Sequence, residues 1–376
     1  MAEQHQKARR STSAMNLLNF VRKDPLSVLL LAIPLAILAG VSGWNPLWVF
    51  ALSALGVIPL AHYIGESTDA LAHYTGPKLG GLLNATLGNA AELIITIFAI
   101  REGLLELVKA SITGSIIGNL LLVMGMAFLL GGIRNGVQSF NRQQAMNHAI
   151  LLFLSIVALV IPSLFSHTIE GTYEGGLKVE VLSLGVAAIM ILLYALGLFF
   201  NFRSSQALIV PDTSHAKDGD AHPVWSLRAA LLILAAATVG VAYLSELLVS
   251  AVEPIVASYG ISEFFLGIIL IPLIGNVAEH LVAVQVAIKN KMDLSVEISL
   301  ASSLQIALFV APVLVFISLM MGNPLTLIFN EFELLALIAA VLIAGLVSID
   351  GESNWLEGAE LIAVYLILAL AFFFIP

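Results

Sequence analysis

The chain has 376 residues, 59% hydrophobic and 11% charged, with a formal net charge of -9 and a mean hydropathy of +1.00. Soluble domains hold roughly 45 to 50% apolar residues, so a soluble fold is excluded. The absence of cysteine excludes disulfides, thiolate metal sites and Cys nucleophiles.

Residues 1–24 are polar and basic, with Lys7, Arg9, Arg10, Arg22 and Lys23. The apolar run that follows has no small-residue cleavage site, so this stretch reads as a retained cytoplasmic tail and not as a signal peptide. Apolar runs broken by Gly, Pro, Asn and charge then give eleven candidate spans: 25–42, 46–73, 79–101, 104–131, 143–165, 179–201, 225–251, 262–288, 294–321, 328–349 and 355–375. A helix is the only non-barrel structure that satisfies every backbone polar group in lipid, and these runs lack strand alternation. The expected fold is an all-α polytopic membrane protein with 11 transmembrane helices.

The stretch 202–224 is the longest polar insert and reads as a cytoplasmic linker, with His215 and His222 as solvated loop residues. It separates five spans in 45–201 from five in 225–376, behind a leading helix at 25–44. With the tail inside, thirteen of the sixteen Lys and Arg fall on the cytoplasmic side, and only Arg101, Lys109 and Lys178 fall outside. This asymmetry supports an odd span count with the N-terminus in the cytosol.

The segment GNAAELIITIFAI at Gly88 matches GNVAEHLVAVQVAI at Gly275, an offset of 187 residues. Leu107, Ser115, Leu121 and Val123 meet Leu294, Ser302, Leu308 and Val310 at the same offset. Five spans is an odd number, so the second copy enters the membrane inverted. Inverted repeats are the architecture of secondary transporters and place the binding site near the midplane. A weaker echo sets Thr68, Asp69 and Leu71 against Ser245, Glu246 and Leu248, whereas the ungapped offset pairs Glu66 with Glu253.

Asn89 and Glu92 are three residues apart and share one helix face, and Asn276 and Glu279 repeat the arrangement. Gly88 and Gly275, with Pro272 one turn earlier, permit close helix approach or local unwinding that frees carbonyls as ligands. Two carboxylates with amide and carbonyl oxygens make a hard-cation site, for which Ca²⁺ is the first choice and Mn²⁺ the second. A bare carboxylate in lipid costs a few kcal/mol, about 3 on insertion scales, so the pair holds either a cation or protons. That competition couples the two fluxes.

Ser115 with Asn119, and Ser302 with Gln305, lie one turn apart on the next span of each half and can serve as ligands, as support, or as interhelical glue. His280 can relay protons, cap a carboxylate, or be a hydrogen-bonded core residue. Asp69 and Glu246, near opposite membrane faces, read as gates, proton acceptors or interfacial acids.

At these residues the chain resembles the cation/proton (calcium/proton) exchangers of the calcium/cation antiporter superfamily. The motifs are GLLNATLGNAAELI on the third span, IPLIGNVAEH on the eighth, SSLQIALFVAP on the ninth and DGESNWLEG before the last. The resemblance implies one leading helix plus two inverted five-helix repeats, and proton-driven Ca²⁺ movement out of the cytosol by alternating access. It also implies Glu92 and Glu279 as the ion-binding, proton-exchanging acids, surrounded by Asn89, Asn276, His280, Ser302 and Gln305. Its members sit in prokaryotic plasma membranes or vacuoles, need no cofactor and no nucleic acid, and leave a homo-oligomer open. One departure is the linker, often a longer acidic helix in the family, where only Asp212, Asp218 and Asp220 remain beside Lys217.

A sodium-driven exchanger of the same superfamily is the nearest rival. An intramembrane enzyme lacks support, since AsnValAlaGluHis has no second His for zinc. A channel is disfavoured by the repeat.

Overall fold

The computed structural model describes residues 25–170, 175–203 and 225–375. The expected tail and most of the expected linker, with His215 and His222, lie outside the described residues.

A 3-10 turn, Pro25–Leu31, runs into α1, Ala32–Val41. Helix α2, Pro46–Thr75, starts where Pro46 occupies the first turn and the Asn45 side chain accepts from the Leu47 amide at 2.9 Å. Such a cap is worth about 1 kcal/mol because it satisfies an amide that has no partner within the helix. It stops at Gly76, whose φ of 83° a β-carbon would strain. The third apolar run is two helices, α3 at Pro77–Leu87 and α4 at Ala90–Arg101. The fourth is α5, Leu105–Ile117, a π segment Gly118–Val123, and α6, Met124–Asn135.

Beyond α7, Arg142–Glu170, and α8, Gly175–Arg203, the second half opens with α9, Leu227–Ser250, and α10, Val252–Tyr259. The eighth run is α11 (Glu263–Phe265), a π segment Leu266–Leu270, α12 (Ile271–Gly275) and α13 (Val277–Ile288), with a 61° bend between its two parts. The ninth is α14 (Met292–Gln305), a π segment Ile306–Val310 and α15 (Ala311–Met321). Helices α16, Glu331–Val347, and α17, Trp355–Phe373, close the chain, each started by an Asn and Glu capping box. Two-residue strands, Gln138–Ser139 and Glu352–Ser353, pair antiparallel at one end of the bundle.

Among the described residues, seven helices are long and apolar enough to cross a membrane, and the bent pair adds an eighth. The chain is a multi-pass membrane protein. The first, third and tenth expected spans do not meet that length as single helices: α1 is short, α3 and α4 are separate, and α16 has 17 residues.

The α5–α6 and α14–α15 rods are the most enclosed, whereas α8 and α17 lie at the periphery. Helix α5 meets the π segment at Leu266–Leu270 closely: a β-carbon on Gly267 would fall 2.8 Å from the Leu107 carbonyl oxygen. Close backbone approach through small residues is how membrane helices gain contact without a hydrophobic driving force. These enclosed rods bring Ser115 and Ser302 into the interior.

Candidate metal and proton site

The backbone leaves the helix at two asparagines. Asn89 has φ -94° and ψ 17°, and Asn276 has φ -106° and ψ 6°. Gly88 itself stays helical, at φ -55° and ψ -42°. Of the two functions expected of the glycines, close approach is the one the geometry uses. A β-carbon at Gly275 would lie 2.8 Å from Glu92 Cγ, and one at Gly88 would lie 3.3 Å from Glu279 Oε1. Each break therefore packs its glycine against the acid of the other break.

Glu92 Oε1 accepts from the Ser115 hydroxyl and from Asn276 Nδ2 at 2.7 Å. The same amide lies 3.3 Å from Ser115 Oγ. Across the site the Ser302 hydroxyl donates to Glu279 Oε2 at 2.6 Å and accepts from Asn119 Nδ2 at 3.1 Å. Asn89 Nδ2 donates to Gln305 Oε1 at 2.9 Å. The serine bonds are equivalent in the two halves, each spanning 23 residues. The asparagine bonds are not: Asn276 reaches Glu92, but Asn89 turns to Gln305. At the position matching Gln305 the first half has Gly118.

Asn89, Glu92 and Asn276 are at most 3% exposed, while Glu279 is partly buried. Asn89 Oδ1 and Glu92 Oε2 are buried and accept no hydrogen bond. An unsatisfied buried acceptor costs about 1 to 3 kcal/mol, more when charged, a cost that a cation would relieve at either oxygen and a proton at the Glu92 carboxylate. Among the described residues no three His, Cys, Asp or Glu side chains gather at one point. A cation at this centre would take its remaining ligands from amide, hydroxyl and carbonyl oxygens, which suits Ca²⁺ with its six to eight ligands.

Three further expected residues have surroundings of their own. His280 is buried, and neither ring nitrogen has a hydrogen-bond partner. Asp69 accepts from Asn84 Nδ2 at 3.1 Å near the end of α2. Glu246 lies 3.5 Å from the Arg101 guanidinium, both side chains about half exposed. Sequence reasoning passed over His62, 3.8 Å from Glu66 on α2, although a spacing of four residues on a helix was signal enough.

The family described as "Sodium/calcium exchanger protein" matches residues 45–203 and 229–374. The "Ca(2+)/H(+) antiporter" of Aphanothece halophytica is 46% identical over 362 residues, covering 93% of this chain and 96% of that protein. The "Ca(2+)/H(+) antiporter ChaA" of Bacillus subtilis is 44% identical over 342 residues, covering 91% and 96%. The solved structure of native YfkE is 41% identical with a TM-score of 0.80, covering 93% of this chain and 99% of that one. Taken with the paired helix breaks, these matches establish that the chain belongs to the sodium/calcium exchanger protein family.

Proposed function

We propose that the chain is a secondary active antiporter that exchanges Ca²⁺, with Mn²⁺ as a second cargo, for H⁺ by alternating access, removing Ca²⁺ from the cytosol. The observation that carries this reading is the reciprocal pairing at the centre. Two acids from two matching helix breaks face each other's glycines, and buried oxygens of Asn89 and Glu92 await a partner. Bare carboxylates in a dry interior are costly, so Ca²⁺ enters as protons leave. Relatives named for Ca²⁺/H⁺ antiport support the choice of ions.

The layout we infer is eleven spans, with the leading helix ahead of two inverted five-span repeats and the N-terminus in the cytosol. Matching local geometry supports it. The Asn323 amide donates to the Ile100 carbonyl at 2.9 Å, and the Asn135 amide donates to Ala287, the residue 187 positions beyond Ile100, at 3.3 Å. Gly103 with φ 80° is matched by Asn290 with φ 60°. A non-glycine residue in this region is uncommon, and asparagine is among the residues that tolerate it best.

Within this reading Glu92 and Glu279 bind the cation and exchange protons, with Asn89, Asn276, Ser302, Gln305 and the Gly88 and Gly275 backbone around them. Ser115 and Asn119 orient the acids, His280 borders the site, and Asp69 and Glu246 serve the two entrances. The test is pH-gradient-driven Ca²⁺ uptake in proteoliposomes. Glu92→Gln and Glu279→Gln each abolish uptake while the protein stays monodisperse, and uptake retained in either variant overturns the assignment.

A further inference from the structure

Helix α2 carries His62, Glu66, Asp69 and His73, spaced four, three and four residues apart and hence on one face. His62 Nε2 lies 3.8 Å from Glu66 Oε1. At 1.5 Å per residue, His73 is ~3 Å and His62 ~20 Å from the end of the helix at Thr75. Gly88, which abuts Glu279, is ~17 Å from the start of the next helix at Pro77 by the same measure. The stripe thus runs from the end assigned to the cytosol to the depth of the carboxylate pair.

The His62 and Glu66 side chains are 24% and 39% exposed at that depth. Ionisable groups there face a bundle interior or a water-filled cavity, because lipid exposure is too costly. Asn84, which donates to Asp69 at 3.1 Å, sits one turn before Gly88 and ties the stripe to the helix that reaches Glu279. Of the helices packed on α2, α13 brings Glu279 and His280, α4 brings Glu92, and α3 and α9 bring Lys78 and Arg228 in their first turns. Arg101, Glu246 and Glu253 belong to the opposite end, and Glu246 is engaged by Arg101. The stripe has no counterpart in the second half. Under the motif match its positions on α9 are Val239, Tyr243, Glu246 and Ser250.

We propose that His62, Glu66, Asp69 and His73 form a titratable ladder that passes protons between the cytosol and the Glu92 and Glu279 pair. The proposal rests on the antiport reading above. Each Ca²⁺ that binds must displace protons into the cytosol. A proton leaving the Glu279 carboxyl is taken up by Glu66 or His62, handed to Asp69 and His73, and released to water, and every group regains its starting state. A neutral imidazole has both a donor and an acceptor nitrogen and so suits the relay.

The test compares two modes of the full-length protein in oriented membrane vesicles: Ca²⁺/H⁺ antiport, and isotopic Ca²⁺/Ca²⁺ exchange, which needs no net proton transfer. His62→Gln and Glu66→Gln are expected to slow antiport by on the order of a hundredfold or more and to leave isotopic exchange at the wild-type rate. Imidazole added to the cytoplasmic side restores antiport, and imidazole on the other side does not. Unchanged antiport overturns the proposal, as does a parallel fall in both modes without rescue. Failure of the underlying reading looks different: Glu279→Gln would then keep its antiport.

Discussion

Gly275 lies against Glu92, near enough that a β-carbon at position 275 would come within 2.8 Å of Glu92 Cγ. Gly275→Ala must therefore push aside the acid that Asn276 and Ser115 hold. The expected cost is about 1 to 3 kcal/mol, the usual range for an overpacked interior. Ca²⁺ uptake in proteoliposomes should fall by about fivefold or more, since about 1.4 kcal/mol is a factor of ten. Gly118→Ala is the control, because a β-carbon at Gly118 has nothing within 4 Å. Equal effects at the two positions would show that the packing on Glu92 is irrelevant.

Asn276 donates to Glu92 at 2.7 Å, whereas Asn119 reaches only a serine hydroxyl at 3.1 Å. Asn276→Leu is thus expected to weaken Ca²⁺ binding more than Asn119→Leu, because hydrogen bonds to charged groups contribute about 1.5 to 3 kcal/mol and neutral ones about 1. Isothermal titration calorimetry of the purified variants measures the difference, and the reverse order would contradict the arrangement at Glu92.

Cation binding to carboxylates releases protons, so apparent Ca²⁺ affinity should rise with pH until the acids have lost theirs. The sign follows from competition: low pH populates the protonated pair and opposes the cation. Calorimetry in buffers of different ionisation enthalpy counts the protons released per Ca²⁺. Glu279→Asp should keep that count, and Glu279→Gln should lower it. A count independent of residue 279 would remove Glu279 from the exchange.

Arg101 and Glu246 join α4 to α9 through side chains that are about half exposed. Such a pair contributes little to stability, about 0 to 1 kcal/mol, so Arg101→Ala should barely move the melting temperature. Its expected effect is on movement between the two helices. Because the chain has no cysteine, Arg101→Cys with Glu246→Cys can be bridged by a short bifunctional thiol reagent. Bridging should arrest transport and reductant should restore it, and full transport by the bridged protein would show that α4 and α9 move as one body.

The long apolar helices such as α2 and α7 were legible in the sequence because lipid allows so few backbone solutions. The paired acids were legible because a repeat offset of 187 residues exposes two costly carboxylates in matching places. The contact from Asn276 to Glu92 was not, since it joins residues 184 apart and depends on how helices from the two halves cross. Gly88 and Gly275 read as sites of close approach or of local unwinding; they serve the first, and the departures from helical angles fall one residue later, at Asn89 and Asn276. The π segments left no periodic signal, because one extra residue per turn hardly alters a continuous apolar run.

The bond from Asn89 to Gln305 gives the two halves unequal footing. If the halves trade places during transport, Asn276 comes to the position where Gly118 has no side chain to receive it. The opposite orientation is then short of one hydrogen bond, about 0.5 to 1.5 kcal/mol. An empty carrier would then rest facing one compartment by roughly two- to tenfold, and a single glutamine that its matching position lacks would set that idle direction.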